Sequence, residues 1–437
     1  MQNIIDFEDA AFLFADEIRK IIGNKISDGR ILRDVFGQLS YVVPQTVSEN
    51  DIQALKAAEF SGSVDYIDRN DPLIFQDTEL SYDLLHEHGQ VFDLDEGCEF
   101  TILDRRLAGD DWLSEPQPSA SKPPRFAFYG LKGGVGRSTA LAVASADLAS
   151  RGKNVLVIDL DLEAPGLGSI LLRDDRLPEF GVLDYLASAA SGVDTTAMLQ
   201  DLVGGSPFTT GAGVVDVVPV VGTSTLKRPS GFFSKLARAY TPGALQGRYQ
   251  EKGFSAKIEG LINDLTALRR YDAVLLDVRA GLHETSAASL LSLGAFVFLF
   301  GVSSSQTLAD YRILLLGIRN SIRSWPESPD LRGQFRMVQA RAPSALGDHA
   351  LHRVDSWKLW LETLYDAVDD EPDASAFSFD LDDPTGPHYP WVIPNAEAYL
   401  TFDPRRSGEY LDGSAYLTVF GTFLTNLNRM IDNEDPL

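Results

Sequence analysis

Cysteine is nearly absent, with Cys98 the single one in 437 residues. One thiol excludes a disulfide framework and any cysteine-ligated metal or cluster held within one chain, and it fits a reducing, cytoplasmic setting. Long apolar runs are lacking too. The longest, Leu290 to Val302, is too short to span a bilayer and is broken by Ser292, Gly294 and Gly301. It reads as a helix end running into a buried parallel strand, Ala295 to Val302. The opening Met1-Gln-Asn-Ile-Ile-Asp-Phe-Glu-Asp is acidic where a secretory leader would be basic. The expectation is a soluble protein without membrane attachment. Basic charge is the third shortage: 38 Lys/Arg face 63 Asp/Glu, a formal net charge of −25. Nucleic acid and anionic lipid are repelled on average, so contact with either needs a local basic exception.

The remaining composition, 44% hydrophobic and 23% charged, is that of an ordinary globular chain, long enough for two domains. Residues 1–115 carry 9 Lys/Arg and 25 Asp/Glu, so this quarter of the chain holds −16 of the −25. Ser114-Glu-Pro-Gln-Pro-Ser-Ala-Ser-Lys-Pro-Pro124 has the composition of an extended spacer. The expected organisation is therefore a small acidic α+β domain at 1–113, a linker at 114–124, and a larger domain at 125–437. In the first, helical periodicity runs from Phe7 to Ile22, followed by strand-like Val91–Leu94 and Phe100–Leu103. His86 and His88 alternate along one face, but with no third ligand in view they read as surface histidines.

Past the linker the pattern alternates between strands and helices. Phe126–Tyr129, Val155–Ile158, Val214–Val221, Ala273–Leu276, Ala295–Phe300 and Phe335–Val338 read as strands, and Ala140–Ala149 as a helix. Alternation of this kind predicts an α/β domain, a mostly parallel sheet with helices on both faces, whose ligands sit at the carboxyl ends of the strands. Gly130-Leu-Lys132-Gly133-Gly134-Val135-Gly136-Arg137-Ser138-Thr139 follows the first strand and opens a helix. Glycines let the backbone wrap a polyphosphate so that N–H groups meet its oxygens, the helix N-terminus favours negative charge, and a hydroxyl after the basic position can serve Mg²⁺. A second acidic run, Asp159-Leu-Asp161-Leu-Glu163-Ala-Pro165, ends the second strand, and Tyr271-Asp-Ala-Val-Leu-Leu-Asp277 ends another.

This set resembles the MinD/ParA group of P-loop ATPases with a deviant Walker A motif, over roughly residues 125–430. The resemblance implies ATP and Mg²⁺ as cofactors and a homodimer closed over ATP. It implies that Lys132 reaches a partner's phosphates and that Asp161 orients the attacking water. Ser138, Asp159 and Asp277 would serve Mg²⁺, with Gly133, Gly134, Val135, Gly136, Arg137, Ser138 and Thr139 around the phosphates. Val278-Arg-Ala-Gly281 resembles the segment after the Walker B acid, so Gly281 would offer its N–H to the γ-phosphate, and Arg279 reads equally as a sensor, a dimer contact or a surface residue. Gln339 is the nearest amide for base recognition, and Ile393-Pro394-Asn395 with Phe402-Asp-Pro404 resembles the loop over the base. The sequence departs from the common pattern at Arg137, where the family has lysine. Arginine keeps the charge but is planar and bulkier, so the exchange is not neutral and bears on the rate of hydrolysis. The form with Lys-Gly-Gly-Val-Gly-Arg is a variant subgroup.

Arsenite and iron–sulfur branches need interface cysteines that are lacking, and the acidic end, Met430 to Leu437, does not suit an anionic membrane. Between Asp216 and Glu251 the chain has no acids but five bases, Lys227, Arg228, Lys235, Arg238 and Arg248, interleaved with Phe232, Phe233, Tyr240 and Tyr249. That stretch suits either stacking on nucleic acid or docking on an acidic protein surface, the latter favoured by the net charge. The expectation is an ATP-driven dimerisation switch that regulates a protein partner through the N-terminal domain, with bacterial defence or signalling as its setting. A ParA-like nucleic-acid-binding partition ATPase and a nucleotide-binding scaffold with little turnover are the alternatives.

Overall fold

The structure is a computed structural model. It describes the chain except residues 1–4, 61–64, 69, 76–78, 96, 107–109, 119–121, 210, 242–252, 368–375, 406–410 and 433–437. The chain divides into two compact units, one of Met1–Leu113 with Asn320–Glu327 and one of Ser114–Arg319 with Ser328–Leu437.

The first unit is built on α1 (Phe7–Ile22), β1 (Arg30–Arg33), β2 (Leu39–Val42), α2 (Glu49–Ala57), β3 (Leu73–Ile74), α3 (Glu79–His86), β4 (Gln90–Asp95) and β5 (Cys98–Asp104). Its sheet has the order β3-β2-β1-β5-β4, with β1 parallel to β5 and antiparallel to β2. Asp6 caps α1 by accepting from the Glu8 and Asp9 amides. Ala10, Phe14 and Ile18, spaced four apart, then share one buried face, packed with Ile31, Tyr41, Phe100 and Ile102 of the sheet. Arg323, in the Asn320–Glu327 segment, holds Asp93 on the edge strand at 2.6 Å and Glu99 at 2.8 Å. His86 sits exposed at the end of α3 with Nδ1 2.8 Å from the Tyr82 carbonyl, and the His88 ring stacks on Trp325 at 4.2 Å. The two histidines thus have separate structural partners.

The second unit opens with β6 (Arg125–Tyr129), α4 (Arg137–Ser150), β7 (Asn154–Asp159), α5 (Leu167–Leu171), α6 (Val182–Ala190), β8 (Gly204–Gly205) and β9 (Val214–Val218). Next come α7 (Thr223–Lys227), α8 (Phe232–Ala239), α9 (Phe254–Leu268), β10 (Ala273–Asp277), α10 (Glu284–Ala287) and β11 (Phe296–Gly301). It closes with α11 (Ser305–Ser324, its last turn grouped with the first unit), β12 (Phe335–Ala342), α12 (Leu346–Thr363), β13 (Trp391–Pro394) and α13 (Gly413–Asp432). Eight strands lie in the order β13-β12-β11-β6-β10-β7-β9-β8, all pairs parallel except β8 with β9. This is the mostly parallel α/β sheet expected. Both β6 and β10 are buried at every residue, as strands covered by helices on two faces must be.

The strand expected to run to Val221 stops at Val218. Pro219 has no N–H for the ladder, and the Pro219 and Val220 carbonyls instead accept from the Val182 and Leu183 amides at the start of α6. The 114–124 segment is not a free spacer where it is described. The Gln117 amide donates to the Leu291 carbonyl at 2.7 Å, and Pro118 lies close against Gly294. No helix among the described residues is long and apolar enough to cross a membrane.

Helix α13 closes one face through Phe423, whose ring meets Phe128, Phe298, Phe300 and Trp391 at centroid distances of 5.3 to 6.0 Å. Phe423 is fully buried, so Phe423→Ala should leave a cavity and destabilise this unit by about 3–5 kcal/mol, read as a lower denaturant midpoint with unchanged slope. A loss below about 1 kcal/mol would mean that α13 is not packed as described.

Candidate functional site

The site is decided by which strands are neighbours. β10 lies between β6 and β7, with Asp277 in register with Phe128 on one side and Asp159 on the other. The glycine-rich loop leaving β6 therefore faces two carboxylates at adjacent strand ends. Gly134 and Gly136 have φ of +73° and +96°, left-handed values that glycine adopts without strain. Gly136 starts α4 with no side-chain cap, so the first-turn N–H groups are left for an external acceptor.

Asp159 and Asp277 are both buried, and burial is the main reason their carboxyls are held above the ordinary range. For Asp159 the neighbouring Asp277 adds to it, and for Asp277 the Arg137 guanidinium and the Ser138 hydroxyl oppose it. The two differ in their partners. Asp159 accepts from the Asp161 amide at 3.1 Å, from Leu167 at 3.0 Å and from Gly166 at 3.4 Å, so it organises the loop after β7. Asp277 Oδ1 is buried with no partner, which makes it the better placed of the two for a metal. Asp161 Oδ1 is also buried and unpartnered.

Arg137 is not laid along the phosphate loop. Its guanidinium is buried, donates to the Val278 carbonyl and lies 3.8 Å from Asp161 Oδ2. The planar fork finds a carbonyl and a carboxylate together there, a pairing that a lysine ammonium would not match. Lys132 stands at the mouth of the loop, about one-third exposed, with Nζ 3.5 Å from Asp310 on α11. Gly281, at φ +88°, donates its N–H to the Gly130 carbonyl at 3.3 Å, while its own carbonyl accepts from Ser286 Oγ at 2.9 Å and Tyr129 Oη at 3.2 Å. Reaching a phosphate means leaving Gly130.

Gln339 does not reach the cleft. It pairs with Gly301 in the sheet, is fully buried, and donates to Ser303 Oγ at 2.7 Å. The β12–β13 pairing shifts register between Gln339 and Ala342, and this turns Arg341, at φ +49°, into the cleft instead. A non-glycine residue in that region carries strain of about 1–3 kcal/mol and so marks a functional candidate. The cleft joins Val135, Gly136 and Thr139 of the phosphate loop to Arg341, Pro394 and Tyr399. It holds only about 30 Å³, little more than room for a water molecule.

Sequence reasoning missed the hub at Glu163. Its carboxylate pairs with Arg279, accepts from Tyr240 Oη at 2.5 Å and lies 3.5 Å from His283 Nε2. Burial holds the imidazole below its usual value despite Glu163, so that last contact is polar rather than an ion pair at neutral pH. The signal was Glu163 two residues past Asp161, but its partners lie up to 120 residues away. Of the basic segment, Lys235 bonds Asp184 Oδ1 at 2.5 Å and Thr225 Oγ1 at 2.9 Å, so α8 is held against α6 of its own unit. Lys227, Arg228 and Arg238 are exposed, and Arg248 lies outside the described residues.

No family model and no curated protein matches the sequence. Its structural neighbours are ParA- and MinD-type ATPases. ParA of pNOB8 bound to nonspecific DNA has a TM-score of 0.44 at 16% identity, covering 71% of this chain and 99% of that one. A plasmid partition protein from Borrelia burgdorferi B31 bound to AMPPNP has 0.40 at 16%, covering 70% and 100%. The cell division ATPase MinD of Pyrococcus furiosus has 0.40 at 17%, covering 70% and 99%. Likeness at this level transfers no chemistry, and what the site can do is read from its own residues.

Those residues fit Mg²⁺ and a polyphosphate. A hydroxyl and a carboxylate with a free buried oxygen are hard donors of the kind Mg²⁺ takes, with phosphate and water oxygens completing the shell. The described residues contain no cluster of three or more His, Cys, Asp or Glu placed to hold a metal, which a cation shared with phosphate does not need. Asp277→Asn removes a buried charge, so the protein alone should melt at the same temperature or higher. The rise in melting temperature on adding Mg-ATP, equivalent to about 2.7 kcal/mol at a hundredfold excess over Kd, should disappear. A full Mg-ATP shift in Asp277→Asn would remove Asp277 from the metal site.

Proposed function

We propose that the chain is an ATP-driven, homodimerising switch that hydrolyses Mg-ATP and regulates a protein partner through its N-terminal unit. The carrying observation is the unpartnered Asp277 Oδ1 set between the phosphate loop and the Asp161 loop on adjacent strand ends. Loop amides from Gly133 to Thr139 hold the phosphates, and Ser138 with Asp277 holds the Mg²⁺, which supplies charge compensation there. Asp161 orients the attacking water with the oxygen that has no protein partner. Arg137 steadies Asp161 and lies beside both loops. Gly281 exchanges its bond to Gly130 for one to the γ-phosphate, and because Arg279 and Glu163 flank this segment, the exchange moves the loop after β7 as well. Lys132 acts on a second copy's phosphates, leaving Asp310. The nucleic-acid alternative is weakened by the loss of Lys235 to Asp184. Bacterial defence or signalling is the setting we infer from the variant motif.

Light scattering with and without ATP, beside phosphate release, tests the scheme. Lys132→Ala should block both dimer closure and hydrolysis, because the lysine acts in assembly. Asp161→Ala should instead accumulate the ATP-bound dimer, because the lost interaction acts mainly at the chemical step. Arg137→Lys should lower turnover, because a lysine ammonium cannot hold the Val278 carbonyl and Asp161 together. Asp310→Ala should tighten the dimer modestly, about fivefold at most, since a one-third-exposed ion pair contributes no more than about 1 kcal/mol. A Lys132→Ala protein that hydrolyses ATP at the parental rate as a monomer would refute the shared-site mechanism.

A further inference from the structure

The second unit holds another cavity, larger than the cleft at Arg341. It encloses about 230 Å³ between the ends of β7 and β9. Leu172, Leu177, Val220 and Leu226 form apolar walls, with Arg173, Arg405, Asp159 and Asp174 as the charged lining. Leu172 is buried at the floor, whereas Leu226 on α7 is 58% exposed and marks the solvent side. The wall from Pro165 to Ser169 is held in place, because Asp159 accepts from the Gly166 and Leu167 amides. The cavity is therefore formed before any ligand arrives, which lowers the ordering cost of binding.

Its α7 edge is basic in a chain of net charge −25. Lys227 and Arg228 follow Leu226 directly and are exposed, as is Arg173. Arg405 pairs with Asp174 at 2.7 Å, but that carboxylate is 91% exposed, so an incoming acid can take its place. The lining itself is balanced, Asp159 and Asp174 against Arg173 and Arg405, and the local excess of base is Lys227 and Arg228 on the α7 side, in the 217–250 stretch that has no acid.

Size decides the kind of ligand. A volume of 230 Å³ falls below the range of about 300–1,000 Å³ usual for cofactors and drug-sized molecules. It suits one anchoring side chain, the way a few buried residues dominate most interfaces. Nucleic acid fits poorly, since apolar walls give phosphates nothing and the chain as a whole repels them.

We infer that this cavity and the α7 surface beside it bind a peptide segment of a partner protein, seating one large apolar side chain while acidic residues flanking it meet Lys227, Arg228 and Arg405. The surface stands on its own residues and does not depend on the ATPase reading.

The test is selection of a random peptide display library on the full-length protein without nucleotide, so that its outcome is independent of the phosphate site. Enriched sequences should carry Leu, Ile, Met or Phe flanked by Asp or Glu. A fluorescein-labelled peptide of the enriched sequence should bind by anisotropy with an affinity that falls as salt rises. Leu226→Glu and the double variant Lys227→Glu/Arg228→Glu should each weaken it at least tenfold. Both sites are exposed, so the fold should survive, and unchanged melting temperatures would verify this. The inference is overturned by no enrichment, by basic or purely polar peptides, or by affinity unchanged in both variants. A single-stranded oligonucleotide that binds the same residues more tightly than the peptide would also overturn it, in favour of a nucleic-acid surface.

Discussion

Two buried carboxyls side by side are the constraint around which the larger unit is arranged. Asp159 and Asp277 end neighbouring parallel strands in register, and both are removed from water. Like charges in a dry site are unfavourable unless something compensates. The protein supplies part of that compensation, through three amides on Asp159 and through Arg137 and Ser138 near Asp277. It leaves Asp277 Oδ1 without a protein partner.

The same compensation ties the loops together. Asp159 holds the loop that carries Asp161 and Glu163, and Glu163 reaches Arg279 and Tyr240. Lys257 in turn donates to the Ala239 and Thr241 carbonyls that flank Tyr240 at the end of α8. A connected polar network thus runs from the end of β7 to α8, the helix next to the basic α7 surface. Gly281 joins the segment after β10 to the phosphate loop, its amide donating to the Gly130 carbonyl.

Charge separates the two parts of the chain. The N-terminal quarter carries most of the excess acid, whereas the 217–250 stretch has none. The acidic α+β unit sets α1, α2 and α3 on a five-stranded sheet. The basic stretch meets part of its own need inside its unit, through Lys235 and Asp184.

Sequence by itself determined what depends on neighbours in the chain. The glycines of Gly130–Thr139 carry their backbone requirement with them, and continuous apolar runs such as Phe126–Tyr129 and Ala273–Leu276 announce doubly covered strands. It did not determine strand order, and so could not show that Asp277 lies against Asp159. Nor could it show that Arg137 turns toward Asp161 and Val278, because those partners come from two other strand ends. Gln339 and Arg341 show the limit most clearly. Gln339 is buried in regular register with Val392, and the shift beyond it turns Arg341, which would otherwise share its face, into the cleft. Tertiary structure alone decided that, because the shift arises from pairing with β13, about 50 residues later in the chain.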